Sequence, residues 1–275
     1  MNQLEHIETM LYSLHTKPHG ILPEYATLLG HKLEKYLDSP MDIPEDMPMT
    51  SSMGNNNGIG IIDISGIIMK RVGLPQDILA FFGIVDLDRV NEELSAASED
   101  PNITTILINV NSPGGFLSGV EETAILINEI SKTKEVIVYT DTLCASAAYW
   151  ISSQANTIIA SSGADIGSIG VYMTLEDWSE AYKQAGIKVN LIKAGKYKAI
   201  GIDSEPLTDE QKAYLQEQVN QTWELFKTTV NNKRTIPPEY MEGQCVSGTL
   251  AYSIGMVDGI SNCLDDLLDE LLKNI

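Results

Sequence analysis

The sequence predicts an α/β fold in which helices flank a parallel β-sheet. Apolar, β-branched runs recur after residue 58, each with the length of a buried strand. Amphipathic helical segments separate these runs, and such alternation is typical of parallel β-α-β units with right-handed crossovers. The chain has 275 residues, of which 43% are hydrophobic, which is enough for one large core with appendages.

The same patterns divide the chain into three parts. Residues 1–57 are predicted as a small, mostly helical arm followed by an acidic, proline-rich and mobile linker. Residues 58–261 form the core, and residues 262–275 form an acidic, amphipathic C-terminal helix. The arm is either a docking element or a loosely attached start of the chain.

The core elements are predicted in a fixed order. Strands are expected over residues 58–69, 103–109, 135–140, 156–160, 171–174 and 188–192. Helices are expected over residues 86–97, from residue 118, after residue 146, over residues 176–185 and over residues 209–232. Two of the helices open with a capping box, Ser118 with Glu121 and Thr208 with Gln211. The predicted buried side of the last helix is Leu215, Val219, Thr222, Phe226 and Val230.

Composition excludes several classes of function. The chain carries 18 basic and 38 acidic residues, a formal net charge of −20, which argues against a nucleic-acid partner. No apolar run approaches the roughly 18 residues of a membrane span, and the N-terminus lacks the features of an export signal. We therefore expect a cytoplasmic protein with no membrane association. The three cysteines are widely spaced and predict reduced thiols and no metal site.

The histidine distribution limits the chemistry that the core can perform. All four histidines, His6, His15, His19 and His31, precede the core. Histidine is the usual proton shuttle near neutral pH. If the core is catalytic, its base must be a carboxylate, a cysteine or a lysine.

Ser146 is the first candidate for a catalytic residue. It follows a predicted strand at the start of a predicted helix, where backbone N–H groups are unpaired and the dipole favours negative charge. The N–H of Ala147 could then hold an oxyanion. The alternative is that Ser146 only caps the helix.

A paired-glycine turn supplies the second candidate group. Gly114 and Gly115 follow a buried strand, where open parallel sheets place their binding crevice. Glycine permits backbone angles that could point an amide from either residue into the cleft as a second oxyanion donor. The alternative is an ordinary Pro-Gly turn. A phosphate cradle is not supported, because no Lys-Ser or Lys-Thr pair follows the glycines.

A basic segment supplies the candidate base. Lys193, Lys196 and Lys198 lie within it, and their pattern does not rank them. A lysine base needs a pKa of about 7 to 8, which burial against apolar walls can supply. Ser168 could accept a hydrogen bond from the lysine amine and orient it. The alternatives are a solvated basic loop and a turn serine.

Five ordered motifs resemble the family of signal peptide peptidase A, serine peptidases with a Ser-Lys dyad. They are the turn at 111–115, Ala-Ser at 145–146, Gly-Ser-Ile-Gly-Val at 167–171, Gly-Lys-Tyr-Lys at 195–198 and the segment 251–258. The resemblance implies a crotonase-like fold, shared with the caseinolytic protease. It also implies that Ser146 is the nucleophile and Lys198 the base, with no metal or other cofactor. The usual Ser-Gly-Gly of the family is Ser-Ala-Ala here, so substrate preference does not transfer.

Residues 4–10 and 22–26 resemble the start of tailed-phage capsid assembly proteases. That resemblance implies a polypeptide substrate such as a scaffold, portal or capsid protein, cleaved in the host cytoplasm or the immature capsid. Envelope members of the family carry a membrane anchor, and none is expected here, because no apolar run of sufficient length occurs in the sequence. The chain ends at Ile275 without a scaffold extension, so scaffold is expected from a separate chain.

The Ser-Lys pair is expected to span two protomers. In relatives the two residues can come from different copies of the unit, and this chain contains one unit without an internal repeat. Neighbouring protomers of a homo-oligomeric ring would then complete each site. The alternative functions are a cytosolic peptide-degrading peptidase, a crotonase-like acyl-CoA enzyme and a non-catalytic assembly protein.

Overall fold

The computed structural model describes residues 3–14, 17–40, 43–44 and 53–273. Most of the predicted mobile linker, residues 41–42 and 45–52, lies outside the described residues. The helices are α1 Gln3–Leu14, α2 Pro23–Asp38, α3 Gln76–Phe82, α4 Leu87–Glu99, α5 Val120–Ile130, α6 Ala147–Ser152, α7 Ser179–Gln184, α8 Asp209–Asn231, α9 Gly248–Ser253 and α10 Leu264–Leu272. The strands are β1 His19–Ile21, β2 Met53–Asn56, β3 Ile59–Ser65, β4 Ile67–Met69, β5 Ile84–Asp86, β6 Thr105–Asn111, β7 Gly114–Phe116, β8 Glu135–Thr140, β9 Leu143–Ala145, β10 Thr157–Ala160, β11 Asp165–Gly167, β12 Cys245–Ser247 and β13 Gly259–Ile260.

The strands form three sheets. The largest has six strands in the order β13-β10-β8-β6-β3-β2, and its neighbouring pairs are parallel except β2 with β3. A four-stranded sheet has the order β1-β7-β4-β5, and a three-stranded sheet has the order β12-β11-β9. The expected α/β class, a parallel sheet with flanking helices behind a small helical arm, is confirmed.

The largest sheet is covered on both faces, which explains its nearly continuous apolar strands. In β6, Ile106 and Ile108 contribute to the main core with α4 and α5. Leu107 points the other way and joins a smaller cluster with Leu267 of α10. The C-terminal amphipathic helix was predicted over the same residues and packs on this second face.

The N-terminal arm packs on the four-stranded sheet. Ile7 and Leu14 of α1 and Leu33 of α2 are buried in a cluster that also contains Ile67 of β4 and Phe116 of β7. Between the two helices the chain adds β1 to this sheet, antiparallel to β7. The arm was predicted as helical, and strand β1 was missed.

Glycines account for two differences from the predicted elements. The single strand expected over residues 58–69 is divided at Gly66, whose φ is 122°, so that β3 and β4 enter different sheets. The capping box at Ser118 is wrong, because α5 begins at Val120 behind Gly119, which has φ 88°. The box at Thr208 is confirmed, since its Oγ1 accepts from the backbone N of Gln211 at 3.2 Å.

The segment 171–207 contains the largest differences. Its only regular helix or strand is α7, whereas strands were predicted over residues 171–174 and 188–192. Those strand predictions are wrong, because residues 171–174 make only a single bridge, between Tyr172 and His19 of β1, and residues 188–192 pair with no described strand. Ile192, for example, is 96% exposed. On α8 only Phe226 and Val230 of the predicted buried side are buried.

None of the helices in the described part of the chain is both long and apolar enough to cross a membrane.

Candidate active site

Ser146 lies between a strand and a helix in a backbone conformation that few residues other than glycine adopt. Strand β9 ends at Ala145 and α6 begins at Ala147. Ser146 has φ 54° and ψ −121°, a conformation that costs energy in a residue with a Cβ. Its N–H donates to the Gly167 carbonyl at 2.7 Å, and its carbonyl accepts from Trp150 N at 2.9 Å. Residues held in such conformations cluster at active sites.

The side chain of Ser146 does not cap α6. The residue holds the N-cap position, but its hydroxyl accepts no cap hydrogen bond. The capping alternative is therefore wrong. Ser146 is only 1% exposed, and Ala147 and Ala148 behind it are fully buried.

Gly114 brings the turn after β6 against Ser146. It has φ 91°, and a Cβ at this position would lie 2.9 Å from both Ala147 N and Ser146 Cβ. Because contacts that short are not tolerated, only glycine allows this approach. The Ala147 amide and the Ser146 side chain therefore border the same small space. The N–H of Gly114 itself donates to Ser112 Oγ at 3.2 Å.

The N–H of Gly115 points toward strand β1. Leu22 N donates to the Pro113 carbonyl at 3.0 Å. Hydrogen-bonded pairs alternate along an antiparallel ladder, so the next such pair is Gly20 with Gly115. Of the two glycines, Gly115 therefore directs its amide toward the strand that passes Ser146.

Ser168 lies beside the same site. It follows β11, whose Gly167 pairs with Ala145 at the end of β9. Ser168 is 8% exposed, has φ 51°, and its N–H donates to the Gln244 carbonyl at 2.8 Å. The fold thus brings Ser168 close to Ser146, while its role toward a lysine stays a prediction.

Lys198 makes no hydrogen bond or ion pair with these described residues. It is an exposed residue of a turn, where its N–H donates to the Gly195 carbonyl at 3.2 Å. Within the described part of the chain, no hydrogen bond or ion pair joins Lys198 to Ser146. Within the described residues of a single protomer, the predicted nucleophile and the predicted base therefore share no direct polar contact.

Neighbours of Lys198 attach this turn to α8. Lys196 forms an ion pair with Glu210, and Tyr197 stacks on Tyr214 with ring centroids 4.3 Å apart. The hydrogen bond to Glu210 raises the pKa of Lys196. A raised pKa keeps an amine protonated, which is the opposite of what a general base needs. The raised pKa makes Lys196 a poor candidate for the base.

Strand β9 also carries a thiol next to Ser146. Cys144 is fully buried and donates to Ser152 Oγ at 3.4 Å. Burial raises the pKa of the Cys144 thiol to about 12. The thiol is therefore protonated at neutral pH, and only a thiolate is a good nucleophile.

The part of the chain that the structure describes contains no group of three or more His, Cys, Asp and Glu residues able to hold a metal ion.

Sequence comparison relates the chain to proteases. Residues 128–274 match peptidase family S49. A protein of Methanocaldococcus jannaschii that carries a protease name is 38% identical over 187 residues, which cover 66% of this chain and 60% of that protein. Capsid assembly protease C of Escherichia phage lambda is 26% identical, over 76% of this chain and 48% of that protein. Head-tail preconnector protein GP5 of Enterobacteria phage P21 is also 26% identical, over 79% and 41%. The chain thus spans about half the length of these relatives.

Solved structures with a similar chain course include acyl-CoA enzymes. An enoyl-CoA hydratase from Shewanella pealeana matches with a TM-score of 0.48 and 11% identity, over 84% of this chain and 75% of that chain. A methylmalonyl CoA decarboxylase matches with a TM-score of 0.42 and 13% identity, over 81% and 71%. The family assignment does not depend on these likenesses.

The family match covers more than half of the chain, and capsid assembly protease C of phage lambda and the chloroplastic serine protease SPPA of Arabidopsis thaliana lie among its relatives. The predicted resemblance to signal peptide peptidase A is thereby confirmed: this chain belongs to peptidase family S49.

Proposed function

We propose that this protein is a serine endopeptidase in which Ser146 is the nucleophile and Lys198 of a neighbouring protomer is the general base. The observation that carries the proposal is the environment of Ser146. Its backbone is held at a positive φ, its hydroxyl caps nothing, and the Ala147 amide borders the same small space as its side chain. The family assignment favours peptide bonds as the target.

The proposed reaction has two halves. Lys198 takes the proton of Ser146 Oγ, which attacks a peptide carbonyl, while the amides of Gly115 and Ala147 hold the oxyanion. The tetrahedral adduct collapses, the C–N bond breaks, and the lysine gives its proton to the leaving amine. Water then attacks the acyl-enzyme, loses a proton to the lysine, and releases the carboxylic acid as Ser146 regains its proton. These steps use no metal and no nucleotide.

Two observations support a site shared between protomers. Lys198 is exposed and, within the described part of one chain, makes no hydrogen bond or ion pair with the buried Ser146. The segment 171–207 also exposes large apolar side chains, and such patches mark association surfaces. The most exposed of them are Trp178, Ile187, Val189 and Ile192. A second copy of this chain that covers this segment would bury them and could bring Lys198 to a neighbouring Ser146.

The proposed substrates are phage scaffold or head proteins during capsid maturation, in the host cytoplasm or the immature capsid. Relatives named as a capsid assembly protease and as a head-tail preconnector protein support this choice. Scaffold, portal and capsid proteins are accordingly the polypeptide partners to assay first.

A lysine base predicts a rising pH profile for peptide hydrolysis. Only the neutral amine accepts a proton, so kcat/KM should increase from about pH 7 to about pH 9. The measurement is cleavage of labelled casein or scaffold protein by the assembled oligomer. Lys196→Ala serves as the matched control, since it removes a lysine of the same turn and should leave the profile unchanged.

A profile that falls over this range would exclude a lysine base. Hydrolysis that persists in Ser146→Ala would exclude the serine mechanism. Absence of any cleavage by intact oligomers would favour the non-catalytic assembly protein.

A further inference from the structure

Strand β1 is fixed between two backbone edges at the candidate site. On one side it runs antiparallel to β7, with His19 opposite Phe116 and Gly20 opposite Gly115. On the other side His19 exchanges two backbone hydrogen bonds with Tyr172, at 2.8 and 3.1 Å. A three-residue strand thus has a partner on each side.

Gly20 of this strand contacts the candidate nucleophile. A Cβ at position 20 would lie 3.1 Å from Ser146 Oγ and 3.4 Å from Ala147 N. The Gly20 carbonyl is paired with the Gly115 amide. Its oxygen would lie 2.1 Å from a Cβ at Gly114. The peptide backbone at Gly20 therefore borders Ser146, Ala147 and Gly115. These are the groups within one protomer to which the proposed mechanism assigns a role.

This arrangement leaves no space for a second polypeptide. Attack requires the substrate carbonyl within about 3 to 3.5 Å of the nucleophile. Ser146 is 1% exposed, with Gly20 as one of the residues against its hydroxyl. An extended peptide that binds by strand addition needs a free backbone edge, and the edge of β7 beside Ser146 is already paired with β1.

We infer that β1 occupies the position of the peptide substrate, as a built-in competitor that must leave before another chain can be cleaved. The part of this inference that concerns inhibition of cleavage rests on the proposed function. Whether β1 occupies the position beside Ser146 can be measured without catalysis. Once β1 has left, the vacated position would bind an extended polypeptide. The residue that faces Ser146 would be glycine or another small residue, because a Cβ built at position 20 would already be in tight contact with the hydroxyl.

Packing of the arm keeps β1 in place. Ile21 is 2% exposed and belongs to the cluster formed by α1, α2 and the four-stranded sheet. The side chain of His19 is 1% exposed and its Nε2 bonds the Leu14 carbonyl at 2.7 Å. Displacement of β1 is therefore coupled to rearrangement of the arm. The state in which β1 stays paired with β7 dominates in the protomer.

The first experiment measures access to position 146 without using the catalytic base. Ser146→Cys is introduced in full-length chain with Cys245→Ser and Cys263→Ser, and its alkylation by iodoacetamide is timed by mass spectrometry. The buried Cys144 contributes little, because burial raises its pKa to about 12. We expect slow alkylation, and at least tenfold faster alkylation when Gly20→Val is added. A valine at this position meets Leu117 Cδ2 and Ser146 Oγ, at 2.7 and 3.1 Å for its Cβ, and should force β1 away.

Gly54→Val is the matched control, since a Cβ at Gly54 in strand β2 would have no neighbour within 4 Å. It should leave the alkylation rate unchanged. The inference is overturned if the thiol at position 146 already reacts as fast as the exposed Cys263 does in the parent protein, or if Gly20→Val folds and leaves the rate unchanged.

The second experiment fixes β1 in place. It tests the inference even if Gly20→Val does not fold. His19 and Phe116 are directly opposite in a non-hydrogen-bonded pair, where Cβ atoms lie close enough for a disulfide. His19→Cys with Phe116→Cys, in otherwise wild-type chain, should lose peptide hydrolysis when oxidised and regain it when reduced. Equal hydrolysis in both states would overturn the inference while the peptidase function stands. No hydrolysis by wild-type protein, together with alkylation that depends on β1, would overturn the peptidase function and leave the occupancy intact.

Discussion

Mixed oligomers of two inactive variants should regain peptide hydrolysis. Ser146→Ala and Lys198→Ala oligomers should each lose about 10⁴-fold or more in kcat/KM, since nucleophile and base act as one unit. If each site takes its serine from one protomer and its lysine from the next, random 1:1 mixing restores both groups in about a quarter of the sites. The physical reason is that the buried Ser146 and the exposed Lys198 share no hydrogen bond or ion pair within the described residues of one chain.

The measurement is cleavage of labelled casein after dissociation and reassembly of the mixture. A mixture of Ser146→Ala with the double variant Ser146→Ala/Lys198→Ala is the control, and it should stay inactive. Recovery near zero in properly reassembled mixed rings would contradict a site shared between protomers.

Gly115→Ala should damage both the stability and the activity of the protein. A Cβ at position 115 would lie 1.9 Å from the Ile68 carbonyl oxygen and 2.5 Å from its carbon. Both are backbone atoms of the paired strand β4, so β7 must move. We expect the free energy of unfolding to fall by about 3 kcal/mol. Activity of the folded fraction should fall about 10²-fold or more, because the oxyanion donor moves with β7.

Gly163→Ala is the matched control, because a Cβ there would have no neighbour within 4 Å. Its effect on the free energy of unfolding should stay within about 0.5 kcal/mol. Urea unfolding and kcat/KM together check the prediction. A Gly115→Ala protein with wild-type stability and activity would remove Gly115 from the proposed oxyanion site.

Local pattern predicted the elements whose stabilising contacts are close in sequence or follow from burial alone. Strand β8 and helix α10 were predicted over the residues that form them. The capping box at Thr208 was predicted correctly because its two hydrogen bonds span three residues. The box at Ser118 failed because the following Gly119 takes a left-handed conformation and starts the helix one residue later.

Pairing between strands that are distant in the sequence could not be predicted from local pattern. Strand β1 has three residues, one of them glycine, and is specified by partners in β7 and at Tyr172. The strands expected over residues 171–174 and 188–192 have the right composition, but the first makes only the bridge from Tyr172 to His19 and the second pairs with none of the strands that the structure describes.

The candidate site was predicted in part for the same reason. Ser146, Ala147 and the glycine pair at 114–115 adjoin strand ends, and the fold brings them together. Lys198 was identified by resemblance, and its distance from Ser146 in one chain could not be derived from local pattern. That Gly115 rather than Gly114 directs its amide toward strand β1 depends on the register of β1 with β7.

The most direct test of the central claim is active-site labelling of the assembled oligomer with a fluorophosphonate, with the modified residue mapped by mass spectrometry. The account predicts covalent label on Ser146, loss of peptide hydrolysis in proportion to labelling, and no label in Lys198→Ala oligomers. Label on a different residue that accompanies the loss of hydrolysis would contradict the account.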